Sequence, residues 1–235
     1  MSDIIKPTEE IIGFLESAAG SADRRSFLKW AGLGITLVVA AGCSDDATTS
    51  TTSDVTFTND DFGVLNYAYA LEQLEAAFYT KLVSAPPTGI TAAELEILAQ
   101  IRDHEIAHRE FLKAALGAKK IQDLTPDFSS VANTRQAMLE AARTFEDLGV
   151  GAYNGAGKLL KDAGFLTIAG KIVSVEARHA ATIRDILNPR TASFSGDDVV
   201  DPTNGTDQAL SPTMVVAAAQ KYVTQKLNVS NLPTT

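Results

Sequence analysis

From Phe62 onward the apolar positions recur mostly at three- and four-residue steps: Phe62, Leu65, Tyr69, Leu71, Leu74, Phe78 and Leu82. That period puts them on one face of an amphipathic helix. Asn59-Asp60-Asp61 offers the residues that cap its start, and Pro86-Pro87 marks its end. Thr91-Ala92-Ala93-Glu94 has the form of a capping box and opens a second helix through Leu95, Leu98, Ile101 and Leu112 to about Gly117. After a loop containing Pro126, Ser129 or Ser130 is expected to cap a third helix through Met138, Ala142, Phe145, Val150 and Tyr153. Gly164 is expected to break the chain before a fourth helix, which runs through Ile172, Val173, Ile183 and Leu187 to Pro189. Residues 190–210 are rich in Ser, Asp, Pro, Gly and Thr and are expected to form a loop. Ser211-Pro212 fits the N-cap and first position of a short fifth helix ending near Leu227, with the last eight residues frayed. Four long helices with short to medium connections predict an all-α chain built as a four-helix bundle with a short C-terminal helix.

The third helix carries an anomaly. Gly149, Gly151, Gly155 and Gly157 fall within nine residues. Each glycine costs roughly 1 kcal/mol against alanine in a helix interior. Four of them call for a packing reason, such as close approach of another segment.

The apolar stripes carry acids, which changes the picture from core to chemistry. Glu105 shares its stripe with Leu98, Ile101 and Leu112, and Glu176 shares one with Ile172, Val173, Ala180 and Ile183. Each begins a Glu-x-x-His: Glu105 with His108, and Glu176 with His179. Three residues apart on a helix, a carboxylate and an imidazole can reach one ion. The first and third helices add Glu75, beside Leu71 and Phe78, and Glu146, beside Ala142, Gly149 and Tyr153. Glu75 precedes Glu105 by 30 residues, and Glu146 precedes Glu176 by the same 30. One Glu from each of two helices and a Glu-x-x-His from each of the other two is the ligand set of two-metal carboxylate bundles.

Charge supports that set. Four carboxylates balance two divalent ions, whereas four buried glutamates without metal repel one another. Mixed carboxylate and imidazole donors suit iron or manganese, with zinc possible. The expected metal ligands are therefore Glu75, Glu105, His108, Glu146, Glu176 and His179, around two divalent ions. Glu105 and Glu176 are expected to bridge the ions, with Glu75 and Glu146 at the ends.

Glu72, Tyr79, Arg143 and Tyr153 are expected to stand behind the ligands. Glu72 lies one turn before Glu75 and is expected either to bond a ligand histidine or to be neutralised by Arg143, its counterpart in the thirty-residue pairing. His104, next to Glu105, points about 100° away and is expected at the surface or behind a ligand. Tyr79 and Tyr153 fit either core packing or an electron relay.

Composition narrows the partners. The chain has 235 residues, 45% hydrophobic and 21% charged, in keeping with a globular protein. A net charge of −9 leaves no basic stripe for nucleic acid. Cys43 is the sole cysteine, so neither an intrachain disulfide nor a thiolate zinc cluster is available.

The first 43 residues have the pattern of an export signal. Arg24-Arg25 followed by Ser26-Phe27-Leu28-Lys29 resembles a twin-arginine signal, with Asp23 where Ser is usual. The apolar run from Trp30 to Ala41 is too short to span a bilayer comfortably. Ala40-Ala41-Gly42-Cys43 resembles a bacterial lipobox, with Ala where Leu is commoner. Cys43 is accordingly expected to be lipidated, placing the protein in the periplasm or cell envelope on a membrane anchor. Residues 44–57 are expected to be a flexible tether, 58–188 the bundle, and 189–235 a loop with the short last helix.

Taken together, four segments resemble the ferritin-like family, and most closely its branch that includes desiccation-related proteins. They are Leu71–Tyr79, Asp103–His108, Phe145–Tyr153 and Glu176–His179. The resemblance covers about residues 58 to 188 and implies a two-metal carboxylate centre. It leaves the reaction open, because such bundles host iron storage, oxidases, peroxidases and catalases. The function expected is redox or stress protection in the cell envelope, with oxygen or peroxide as the small oxidant. The alternative is a non-enzymatic envelope stress protein with structural or absent metal. A dimer is one possible assembly, and a closed iron-storage shell fits poorly with a lipid tether.

Overall fold

The computed structural model describes residues 53–234. Arg24, Arg25, Cys43 and most of the tether lie outside them. Four long helices make the body: α1 (Asp61–Ser84), α2 (Ala92–Leu116), α3 (Arg135–Gly157) and α4 (Ala163–Leu187). A short α5 (Pro212–Ala219) follows. Two-residue strands β1 (Val55–Thr56) and β2 (Leu227–Asn228) pair in parallel, Val55 opposite Leu227. Among the described residues no helix is long and apolar enough to cross a membrane.

The helices form two pairs, α1 with α2 and α3 with α4, and the pairs close on each other through α1 with α3 and α2 with α4. Burial follows composition. α1 is buried around most of its girth, including Val64, Leu65, Tyr67, Ala68 and Tyr69. α2 buries a single stripe, Leu98, Ile101, Glu105, Leu112 and Leu116, and leaves its charged face to water.

The helix starts show local chemistry at work. The Asp60 carboxylate accepts the Gly63 N–H at 2.9 Å and begins α1. Thr91 and Glu94 form the reciprocal capping box: Thr91 Oγ1 accepts the Glu94 N–H at 3.2 Å, and Glu94 Oε2 accepts the Thr91 N–H at 2.8 Å. Two starts differ from expectation. Thr134, not Ser129 or Ser130, caps α3, its hydroxyl accepting the Ala137 N–H at 3.2 Å. The residues between are drawn into turns that bury Phe128 against Phe78, Phe145 and Tyr222. Gly164 does not break the chain either. Asp162 accepts the N–H groups of Gly164 and Phe165, so Gly164 lies inside the first turn of α4.

The C-terminal region also departs from expectation. α5 stops at Ala219, a 3-10 turn spans Gln220–Tyr222, and the chain then extends into β2. Val223, Gln225 and Leu227 are buried while Thr224 and Lys226 are exposed. That alternation has the period of a strand and cannot continue a helix. The last residues are packed rather than frayed, with Leu227 and Leu232 buried. The strand they form pairs with Val55 and Thr56, so the end of the expected tether joins the fold.

Residues 190–210 wrap the outer side of α3 and α4. Buried Arg184 holds them there. Its guanidinium donates to Asp147 at 2.8 and 2.7 Å, to Asp198 at 3.0 and 2.8 Å, and to the Ser193 carbonyl at 3.1 Å. Leu210 then lies against α3 and explains two of the clustered glycines. A Cβ on Gly155 would fall 1.8 Å from the Leu210 carbonyl oxygen, and one on Gly151 would fall 2.7 Å from the Leu210 side chain.

Candidate metal centre

Midway along the bundle, five glutamates and two histidines converge. Glu72 and Glu75 come from α1, Glu105 and His108 from α2, Glu146 from α3, and Glu176 and His179 from α4. Glu72, Glu105, Glu146 and Glu176 have no solvent exposure, and Glu75 has 3%. Each is there because the helical period that makes its neighbours core also turns it inward.

The donor atoms fall into two groups that share two residues. Glu72, Glu105, His108 and Glu176 form one; Glu105, Glu146, Glu176 and His179 form the other. Within each group the donor atoms all lie within 4.8 Å of one another. His108 Nδ1 is 2.9 Å from Glu176, 3.5 Å from Glu105 and 3.6 Å from Glu72. His179 Nδ1 is 2.7 Å from Glu105 and 3.5 Å from Glu146. The two shared carboxylates, Glu105 and Glu176, are the pair expected to bridge.

These residues fit bound metal on a further observation. Glu72 Oε2, both oxygens of Glu105, Glu146 Oε2, both oxygens of Glu176, and the Nδ1 atoms of His108 and His179 are buried without a hydrogen-bond partner. Buried polar atoms are normally partnered, and buried charge is tolerated when it coordinates metal. The second oxygens of the outer carboxylates, by contrast, are taken. Tyr153 Oη donates to Glu72 Oε1 at 2.5 Å, and Tyr79 Oη donates to Glu146 Oε1 at 2.5 Å. Each outer carboxylate is thus held from behind by a tyrosine and presents its free oxygen to the shared pair. The two tyrosines are more than core filling.

This arrangement revises the part of Glu72 and Glu75. Glu72, expected behind the ligands, sits in the first group. Glu75, expected as the end ligand, stands beside both groups in the same cluster of charge. Thirty-residue spacing could not choose between them, because both face inward and differ only by one turn along α1. Arg143 does not neutralise Glu72. Its guanidinium pairs with Glu140 at 3.0 Å, on the outer side of α3. Gly149 also finds its reason here: a Cβ would crowd Glu75 Oε1 and Glu176 Oε2, each at 3.2 Å. His104 takes the second of its two expected places, behind a ligand. Its Nδ1 lies 2.9 Å from His179 Nε2.

Electrostatics follow from burial and crowding. Burial, together with Glu176 nearby, raises the Glu105 carboxyl to about 7. Burial also raises Glu146 to about 7, and burial with the Glu72 charge raises Glu176 to about 8. Glu75 is pushed well above the usual carboxylate range by burial and by its four acidic neighbours. Burial alone would lower the histidines, but the carboxylates outweigh it, taking His179 up to about 10 and His108 well above its ordinary value. Without metal, the cluster holds protons in place of cations. Tyr79 and Tyr153 are also raised well above the ordinary phenol value by burial and by the carboxylates they serve.

Over residues 60–189 the chain matches the family described as "Ferritin-like domain". No curated protein matches it.

Proposed function

The chain belongs to the ferritin-like domain family, and on that premise we propose that its buried carboxylate and histidine cluster is a two-metal redox centre. The observation that carries the reading is the set of eight buried, unpartnered donor atoms that converge in two groups sharing Glu105 and Glu176. Iron or manganese suits the mixed oxygen and imidazole donors. Such ions, when bound, supply one- or two-electron exchange with a small oxidant such as oxygen or peroxide.

The residues have distinct parts. Glu105 and Glu176 lie between the two positions. Glu72 and Glu146 close the ends, each oriented by a tyrosine hydroxyl. His108 and His179 present Nδ1 as neutral donors. Glu75 is the fifth buried carboxylate, and burial with its acidic neighbours pushes it well above the usual carboxylate range, so it stands beside the two groups as a proton-bearing neighbour and adds no charge to their balance.

We further propose that the protein works in the cell envelope, protecting it against oxidants, carried there by the Arg24-Arg25 signal and held through Cys43. The Arg24-Arg25 and Cys43 sequence pattern is the support for that placement. One set of measurements checks both parts. Protein isolated from its native host should carry about two equivalents of iron or manganese, and the Glu105→Ala/Glu176→Ala variant should carry almost none. Less than about one equivalent in the unaltered protein overturns the centre. Peroxide or oxygen consumption no faster than that of free metal would leave the metal structural. Normal export of an Arg24→Lys/Arg25→Lys variant would refute the route.

A further inference from the structure

His104 is the third histidine of the chain, and the ligand set does not use it. It precedes Glu105 on α2 and reaches across to α4, where its Nδ1 lies 2.9 Å from Nε2 of His179. The two rings are nearly parallel, 9° apart, with centroids 5.1 Å from each other. His179 meanwhile turns its other nitrogen, Nδ1, toward Glu105 and Glu146.

The chemistry of imidazole orders these contacts. A metal takes the Nδ1 lone pair, which leaves the proton of a neutral ring on Nε2. That N–H then donates to His104 Nδ1, and His104 carries its own proton on Nε2. The bond fixes both the rotation and the tautomer of His179. The other half of the chain lacks this device. His179 follows His108 by 71 residues, and the position 71 residues after His104 is Val175, which has no acceptor.

We propose that His104 is a positioning residue for one of the two metal positions only, and that the centre fills in order, the His179 position before the His108 position. The inference rests on the two-metal reading above and goes beyond it, because that reading treats the two halves alike.

Stepwise addition of Zn2+ to the metal-free protein tests it, followed by calorimetry and by 15N NMR of the imidazoles. The unaltered protein should bind two ions with affinities separated by roughly 10- to 100-fold, the range over which such outer partners act. The first equivalent should shift the His179 ring and the second the His108 ring. His104→Val, which copies Val175, should weaken the tighter step by about that factor and remove the slowly exchanging Nε2 proton of His179. His104→Asn, which keeps an oxygen near the place of Nδ1, should restore most of both, a rescue that loss of packing alone would not give. Two steps of equal affinity, His108 shifting first, or unaltered binding in His104→Val would each overturn the proposal while the two-metal centre stands. Absence of Zn2+ binding in the unaltered protein would overturn both.

Discussion

Glu72 and Glu75 are separated by one helical turn, and in the proposed two-metal centre that turn decides which carboxylate reaches an ion. Glu72 Oε2 is free and 3.6 Å from His108 Nδ1, while Glu72 Oε1 is held by Tyr153. Glu75 lies outside both donor groups. Glu72→Gln should therefore weaken one of two bound Mn2+ ions by tenfold or more, and Glu75→Gln should change neither by more than a few-fold. Tyr153→Phe should fall between them, since it keeps the ligand and removes only its orienting bond. Equal losses in Glu72→Gln and Glu75→Gln, measured by equilibrium dialysis, would remove this assignment. At this scale the inward face of each helix was legible, because a 3.6-residue period turns Glu105, Glu146 and Glu176 toward the core with their apolar neighbours. The choice within α1 was not. It depends on where α1 sits along its axis relative to α2, and spacing along a chain does not report that offset.

At the scale of elements, the glycines of α3 separate two kinds of helix interior. Gly155 lies under the backbone of Leu210, and an added Cβ would meet its carbonyl oxygen at 1.8 Å. Gly157 faces only the Leu166 side chain, at 3.6 Å. Gly155→Ala should force residues 209–211 off α3 and cost about 1–3 kcal/mol, against roughly 1 kcal/mol recovered in helix propensity. Gly157→Ala keeps that propensity with little crowding and should be neutral or mildly stabilising. At about 2–4 °C per kcal/mol for a domain of this size, thermal melts resolve the two. A Gly155→Ala protein as stable as the parent would show that Leu210 does not bear on α3. The helices themselves were readable from period and caps, and Asp60, Thr91 and Ser211 all cap where their chemistry predicts. The α3 start was not, because burying Phe128 among three aromatic rings outweighs the capping preference of Ser129 or Ser130. The β1–β2 pair was missed for a related reason. Its alternation, Val223, Gln225 and Leu227, is short, and its partner strand lies more than 170 residues away at Val55.

For the whole molecule, the proposed metal centre should make stability and pH run in opposite directions in its metal-free and metal-bound states. In the metal-free protein Glu105 and Glu146 titrate at about 7 and Glu176 at about 8, all above their ordinary 4.5, and His179 at about 10, above its ordinary 6.5. Between the ordinary and the raised values the folded state binds more protons than the unfolded state. Stability therefore falls as pH rises, from about 4.5 upward for the carboxylates and from about 6.5 for His179. On the acid side the sign reverses. Arg135 holds Glu94 at about 2, tying the start of α2 to the start of α3, so that contribution is present above 4.5 and lost as pH falls toward 2. The metal-free domain should thus be most stable near pH 4–5. Bound metal replaces the protons, and its affinity rises as the carboxylates and His179 lose theirs, so the stabilisation it adds grows with pH. Thermal melts between pH 5.5 and 8, run with chelator and with excess Mn2+, should slope downward in the first case and upward or flat in the second. A chelated protein that gains stability across that interval would mean that the cluster is not a shared proton store, and that its glutamates are paired by something other than protons or metal.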